Sequence, residues 1–202
     1  MFEIRKFLQS MTNRLVLLTV VIHVVVLALY KNHYTGLELY NWQTENFKPW
    51  QLLSHMFLHD RNSFWHLGFN MLALWSFGNF LEQMWGKKRF LVFYLACGVG
   101  AAIISLLIDT FVFSKIFYGA TVGASGAIYG LLAAFALTFP NFKISLLFLP
   151  VPIAAKYFVP VLLLIDLTAG FTGFSIFGAN IAHFAHVGGA IIGFFLVQFW
   201  LK

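Results

Sequence analysis

The feature that most restricts the fold of this chain is a series of six long apolar runs separated by polar connections. Each run is close to the roughly 20 residues that an α-helix needs to cross the hydrocarbon core of a bilayer. Because 60% of the 202 residues are hydrophobic and only 10% are charged, little sequence remains for a soluble domain. We therefore predict an all-α polytopic membrane protein, a single domain over residues 1–202, with spans at about 15–30, 64–81, 90–113, 119–139, 157–172 and 181–201.

The thirteen basic residues indicate how the chain is oriented in the membrane. With six spans, nine of them fall on the side of both termini and four on the opposite side. The cytoplasmic side of a membrane protein carries the excess of lysine and arginine. We therefore expect both termini in the cytoplasm and the protein in the plasma membrane. The net charge of +6 then reflects orientation, and we expect no nucleic-acid partner.

Two of the connections between spans are long. The outer connection over 31–63 is rich in aromatic residues, among them Trp42 and Trp50, which suits a segment that lies in the membrane interface. Residues 141–156 mix an apolar run with prolines and Lys156. Because proline disfavours a regular helix, we expect this second segment to be a loop that lies on the membrane.

Four polar residues fall at a similar depth in three of the predicted spans. A helix rises about 1.5 Å per residue, which places Ser125 about 22 Å above the cytoplasmic end of the fourth span. The same rise places His186 about 24 Å above that face in the sixth span. Asn70 lies about 25 Å above it in the second span, with His66 one turn higher. Polar groups at this depth are costly, so their convergence predicts a functional site.

Small residues recur at four-residue spacing on the fourth and sixth spans. Such faces let two helix backbones approach closely. A serine and a histidine need that approach if the imidazole is to act as a general base, although any one glycine alone is equally compatible with plain helix packing. The residues are Gly119, Gly123, Gly126 and Gly130 on the fourth span, and Ala185, Gly189 and Gly193 on the sixth.

Four short motifs connect these residues to a known family. They are "HLGFN" at 66–70, "GNFLEQMWG" at 78–86, "GASG" at 123–126 and "AHVGGAIIG" at 185–193. With them the chain resembles the rhomboid intramembrane serine proteases, from about Trp50 to its end. The resemblance implies a rhomboid-like bundle of six transmembrane helices. It also implies a monomeric endopeptidase, without cofactor or obligate partner, that cleaves transmembrane protein substrates within or near their spans and opens to the outer side.

The resemblance further implies a role for each polar residue. Ser125 would be the nucleophile and His186 the base of a dyad, and the flanking glycines at 123, 126, 189 and 193 would support them. The side chains of His66 and Asn70 and the backbone N–H of Ser125 would bind the oxyanion, since neutral donors can do so without a permanent charge. Tyr129 resembles the family tyrosine that stacks on the catalytic histidine, with a packing aromatic as the alternative.

The sequence leaves the roles of several ionisable residues open. His183 lies three residues before His186 and could compete as the base, but only His186 is followed by glycines three and seven residues later. Asp166 lies inside the fifth span, where a third triad member is conceivable. Because the family works without a third acid, we expect Asp166 to have a hydrated structural or gating role. We expect Glu82 in a structural polar network and Asp109 near the interface.

Two other functions remain as alternatives. One is a metal or haem protein, because the pairs His55 with His59 and His183 with His186 have helical spacing. The sequence lacks an HExxH motif, and we expect no carboxylate beside either pair, so we predict no metal site. The other is a catalytically inactive rhomboid-like binding protein. The presence of all four polar residues of the predicted site argues against it.

Overall fold

The structure is a computed structural model that describes residues 7–29, 35–114, 116, 118–146, 149–173 and 182–200. Its described part is dominated by α-helices, four of which are long and apolar enough to cross a membrane. This confirms the predicted all-α membrane fold. The elements are α1 (Met11–Leu29), α2 (Gln51–Ser54), a 3-10 helix (His55–Phe57), α3 (Phe64–Phe111), α4 (Ser125–Thr138), β1 (Lys143–Leu146), β2 (Leu149–Ala154), α5 (Ala155–Thr172) and α6 (His183–Trp200).

Helix α3 contains two passes joined by a sharp break. Its 48 residues would form a straight rod of about 72 Å, more than twice the bilayer core of about 30 Å. Gly86 interrupts it with φ 75° and ψ 163°, a conformation that residues with a Cβ rarely adopt. Gly78 before the break lies against Phe90 after it, so the two halves pack side by side. We call residues 64–85 the descending limb and 87–111 the ascending limb.

Helix α4 lies at the centre of the bundle, whereas α5 lies at its edge. Nine of the 14 residues of α4 are buried, against four of the 18 residues of α5. α4 is only about 21 Å long because it begins at Ser125 and not near residue 119, where the fourth span was predicted to begin. Residues 119–124 form no helix, and Thr121 forms a bridge with Leu39. The serine therefore starts a helix below a non-helical segment.

The second long connection differs from its prediction, and the first is held by a buried side chain. β1 and β2 form an antiparallel hairpin within 141–156, which we predicted to be a loop. Pairing satisfies backbone groups that would otherwise need water near the membrane. In the outer connection, Gln51 is fully buried and accepts hydrogen bonds from the N–H groups of Tyr40 and Lys48. Its amide donates to two further carbonyls of the same connection, so this one side chain holds the segment together.

Glu82 joins the descending limb to the start of α1. Its carboxylate accepts hydrogen bonds from the hydroxyls of Ser10 and Thr12 and from the backbone N–H groups of Met11 and Thr12. The first N–H groups of a helix have no partner within the helix, and an anion there is favoured by the helix dipole. Glu82 of α3 therefore caps the N-terminus of α1, which agrees with the structural polar network expected for it.

Candidate active site

The first residue of α4 is Ser125, and the turn before it is fixed by Gly123. Gly123 has φ 129°, and its N–H donates to the carbonyl of His55 at 3.0 Å. A side chain at Gly123 would be strained at this φ and would also press on the ring of His66. Because Ser125 starts the helix, its own N–H has no partner within the helix and remains available to a ligand.

His186 of α6 faces Ser125 directly. Its Nε2 lies 2.8 Å from Oγ of the serine, at hydrogen-bonding distance. Its ring is buried and stacks on Tyr129, with ring centroids 4.2 Å apart and planes only 9° from parallel. The structure thus brings together three residues that the sequence placed on two separate spans.

The approach of α4 and α6 depends on glycines at their interface. A Cβ built on Gly189 would overlap the carbonyl oxygen of Gly126, and one on Gly193 would lie 2.5 Å from the carbonyl oxygen of Gly130. Both obstacles are backbone atoms that no rotamer change can move. The serine and the histidine can therefore meet only because these positions lack side chains.

The prediction of a hydrated role for Asp166 is wrong. Only 1% of this residue is exposed, and its Oδ1 lies 3.0 Å from Nδ1 of His186 and 2.6 Å from Nδ1 of His183. The hydroxyl of Tyr129 donates to its other carboxylate oxygen. The sequence placed Asp166 inside the fifth span but did not give the direction of its side chain, which depends on how α5 packs against α6. The expectation that no carboxylate accompanies the pair of histidines is wrong for the same reason.

His183 does not contact Ser125 in the described structure. Its Nδ1 is directed to Asp166, whereas the nitrogen next to Ser125 belongs to His186. One ligand atom from each of Asp166, His183 and His186 lies within 4.8 Å of the other two, so these three residues could present ligands to a metal ion. In this structure Oδ1 of Asp166 lies at hydrogen-bonding distance from Nδ1 of each histidine.

His66 and Asn70 lie on the descending limb above the serine. The N–H of Asp60 donates to Nδ1 of His66 at 3.3 Å, which leaves the proton of the neutral ring on Nε2. That Nε2 lies next to Gly123, two residues before Ser125: a Cβ added to this glycine would be 3.0 Å from it. One N–H of the Asn70 amide donates to the carbonyl of His66, and its second N–H has no partner among the described residues. His66 thus offers a neutral donor beside the turn that precedes the serine, and Asn70 lies one helical turn further along the same limb.

The backbone contact of Asp60 and the buried ring of His59 were not found by sequence reasoning. No motif marks Asp60, because it contacts His66 through its main-chain N–H, which almost any residue could supply. His59 is 3% exposed, its ring centroid lies 5.2 Å from that of His66, and neither of its nitrogens has a hydrogen-bond partner within the described part of the chain. Burial chiefly, and also the neighbouring His66 and His23, lower the pKa of His59 from 6.5 to about 3.

We expect the protein to lose stability as the pH falls below about 6.5, the ordinary pKa of histidine. The unfolded chain binds a proton at His59 below this pH, whereas the folded chain does so only near pH 3. Between these values stability falls by about 1.4 kcal/mol per pH unit for this group. Thermal unfolding in detergent across this range measures the effect. His59→Leu should flatten the dependence, and an unchanged slope in that variant would contradict the assignment.

Comparison with known proteins identifies the family. The family model described as the Rhomboid domain matches residues 46–202, more than three quarters of the chain. The chain belongs to the rhomboid family. Over 147 residues it is 40% identical to Rhomboid protease GluP of Bacillus subtilis, which covers 72% of this chain and 25% of that protein. This rhomboid is accordingly an integral membrane protein.

Two further relatives are named as mitochondrial proteins. Over 142 residues this rhomboid is 35% identical to Rhomboid protein 1, mitochondrial, of Saccharomyces cerevisiae, covering 70% of this chain and 39% of that one. Over 141 residues it is 30% identical to Presenilin-associated rhomboid-like protein, mitochondrial, of Homo sapiens, covering 68% and 35%. The chain therefore spans between a quarter and two fifths of the length of these three relatives.

Proposed function

We propose that this rhomboid is an intramembrane serine endopeptidase with Ser125 as nucleophile and His186 as general base. The observation that carries the proposal is the 2.8 Å distance between Oγ of Ser125 and Nε2 of His186. A nucleophile and base need hydrogen-bonding contact for the proton to move as the bond forms. The stacking of His186 on Tyr129 restricts the ring to the plane in which this contact is made. The relative named Rhomboid protease GluP supports peptide-bond hydrolysis as the reaction.

The chemistry proceeds in two steps through an acyl-enzyme. Nε2 of His186 accepts the proton of Ser125 as Oγ attacks the carbonyl carbon, and it then gives that proton to the leaving amine. A water molecule repeats the sequence on the acyl-serine and releases the second product. The negative oxygen of each tetrahedral intermediate is stabilised by the N–H of Ser125, Nε2–H of His66 and the amide of Asn70. These donors are neutral, so the site holds no unpaired cation before substrate binds.

We also propose that the substrates are transmembrane proteins and that the site opens to the outer side of the plasma membrane. The excess of basic residues on the side of the termini supports this orientation. The few buried residues of α5 make it the helix most easily moved, so a substrate would reach Ser125 sideways between α5 and the descending limb. The mitochondrial relatives make a mitochondrial membrane the alternative location, which cell fractionation would distinguish.

The test is cleavage of a reporter transmembrane segment by the purified protein in liposomes. Wild type should release two products, and mass spectrometry should place the new end within or near the span. A serine-directed phosphonate should label wild type but not Ser125→Ala. An inactive binding protein would retain the reporter without product, and a metal-dependent enzyme would lose activity on chelation. Either result would overturn the proposal.

We expect His66→Ala and Asn70→Ala to lower kcat more than they raise KM. An oxyanion donor acts mainly in the transition state, and removing one typically costs about 100-fold to 1,000-fold in kcat. His66→Ala should show the larger loss, because Asn70 already uses one N–H on its own helix. Kinetics on one reporter measure both. Because the two side chains act on one oxygen, the loss in the double variant should differ from the product of the single losses.

Phe69→Ala is the matched control for these two variants, since Phe69 lies on the same limb and is 44% exposed. It should leave kcat within about threefold, as surface substitutions usually have small effects. Circular dichroism and thermal unfolding exclude loss of the fold. Unchanged kcat in both His66→Ala and Asn70→Ala would remove them from the site and leave them as a polar pair that packs the descending limb.

A further inference from the structure

Three hydrogen bonds converge on one buried carboxylate next to the proposed dyad. Asp166 is contacted by Nδ1 of His186, Nδ1 of His183 and the hydroxyl of Tyr129. The carboxylate comes from α5 and its three donors from α4 and α6, so no single helix could assemble them. Asp166 is the one acid among the four buried residues of α5. The carboxylate therefore ties the loosely packed α5 to both helices that carry the proposed dyad.

The hydrogen bonds fix which nitrogen of each ring carries a proton. A carboxylate only accepts hydrogen bonds, so Nδ1 of His186 must donate to Asp166. In the neutral ring Nε2 then keeps its lone pair and accepts from the hydroxyl of Ser125. The opposite tautomer would leave two acceptors facing each other at Asp166. The position of one carboxylate thus gives the imidazole the form that a general base requires.

The same contacts make a buried charge acceptable in this place. An isolated carboxylate in a membrane interior is costly, and hydrogen bonds from several donors offset the loss of water. His183 and Tyr129 supply two donors that do not reach Ser125. When His186 takes the serine proton it becomes a cation, and a carboxylate at 3.0 Å stabilises that charge. The network therefore orients neutral His186 before the reaction and stabilises its positive charge in the transition state.

The distances between Asp166 and the two histidines suit hydrogen bonds better than a shared metal ion. Zinc lies about 2.0 Å from each nitrogen or oxygen that it binds, which spreads its ligands around a common centre. Here Oδ1 of Asp166 lies 2.6 Å and 3.0 Å from the two nitrogens, within the range of direct N–H to carboxylate hydrogen bonds. All three side chains are buried against one another.

We propose that Asp166 is a positioning residue that completes a Ser125, His186 and Asp166 triad, and that His183 and Tyr129 hold its carboxylate in place. The inference rests on the proposed function, since it gives Asp166 a role through His186. It differs from a dyad mechanism in one measurable respect. A dyad would tolerate the loss of the carboxylate, whereas a triad would not.

The first experiment compares Asp166→Asn with wild type and with Asp109→Asn on the reporter segment. Asp109 lies near the end of the ascending limb and is the control for replacing an acid in a long apolar helix. Asp166→Asn should lower kcat by about 100-fold to 10,000-fold with KM within about threefold, as replacement of a triad aspartate does elsewhere. Asp109→Asn should stay within about threefold of wild type. A fall of less than about tenfold in folded Asp166→Asn overturns the proposal.

A second measurement needs no substitution at Asp166 and so stands even if Asp166→Asn fails to fold. Nitrogen-15 NMR of histidine-labelled wild type, with His186 assigned by its absence from His186→Ala, reports which ring nitrogen is protonated. The proposal requires the proton on Nδ1 of neutral His186, and a proton on Nε2 overturns it. Activity lost on chelation and restored by zinc would overturn it as well. If Ser125→Ala also keeps full activity, the proposed function itself fails; if only Asp166→Asn is unaffected, the dyad stands without a triad.

Discussion

Ser125→Ala and His186→Ala should each reduce cleavage of a transmembrane reporter to the background rate, a loss of about 10⁶-fold in kcat. The two residues act as a unit, because the serine is a poor nucleophile until the imidazole removes its proton. Removing either should therefore cost nearly as much as removing both. Single-turnover cleavage in liposomes, with phosphonate labelling as a second readout, measures the effect.

Ser105→Ala is the control for this pair of variants. Ser105 lies in the ascending limb and has the same side chain inside the membrane, but it is not part of the proposed site. It should cleave at the wild-type rate within about threefold. Thermal unfolding should show all variants folded: Ser125→Ala loses one hydrogen bond, worth about 1 kcal/mol, and His186→Ala should melt lower because it also loses the contact with Asp166. Near-full activity in folded Ser125→Ala or His186→Ala would refute the assignment.

Much of the architecture could be predicted because a bilayer allows few structures. Backbone groups in hydrocarbon must pair within their own segment, so long apolar runs become helices. The start of α4 could not be predicted in this way, because residues 119–124 are as apolar or small as the helix that follows. The hairpin of β1 and β2 was missed for a similar reason. Its second strand contains two prolines, and those residues indicate only that a helix is disfavoured.

The sequence predicted those parts of the candidate site that depend on neighbouring residues in one segment. Short motifs identified Ser125 and His186, and the rise per residue of each one's own helix placed the two residues at a similar depth. Both arguments use only positions along one helix at a time. The contacts of Asp166 depend on the rotation of α5 about its axis, which the packing of three helices decides. Likewise the proton on Nε2 of His66 depends on a main-chain N–H from a loop. The structure brings these groups together, and their catalytic roles stay predictions until the variants are measured.

Gly189→Ala should lower both stability and activity, although Gly189 lies outside the proposed triad. Its new Cβ would overlap the carbonyl oxygen of Gly126, a backbone atom of the facing helix. Overpacking of this kind costs about 1–3 kcal/mol even where side chains can move aside, and here none can. The strain can be relieved only if α4 and α6 separate, which lengthens the 2.8 Å contact between Ser125 and His186. A shift of about 1 Å in a reacting group costs about 100-fold in rate.

Gly68→Ala provides the matched control for this separation of α4 and α6. Gly68 is also inside a helix, but a Cβ there meets no atom of the described chain within 4 Å. Replacing a helical glycine by alanine without a clash favours the helix by about 1 kcal/mol, so this variant should be as stable as wild type or more so. Gly189→Ala should instead melt at a lower temperature and label slowly with phosphonate. If Gly189→Ala melts and labels like wild type, α4 and α6 are not in close contact at Gly126. That result would contradict the geometry proposed for the dyad.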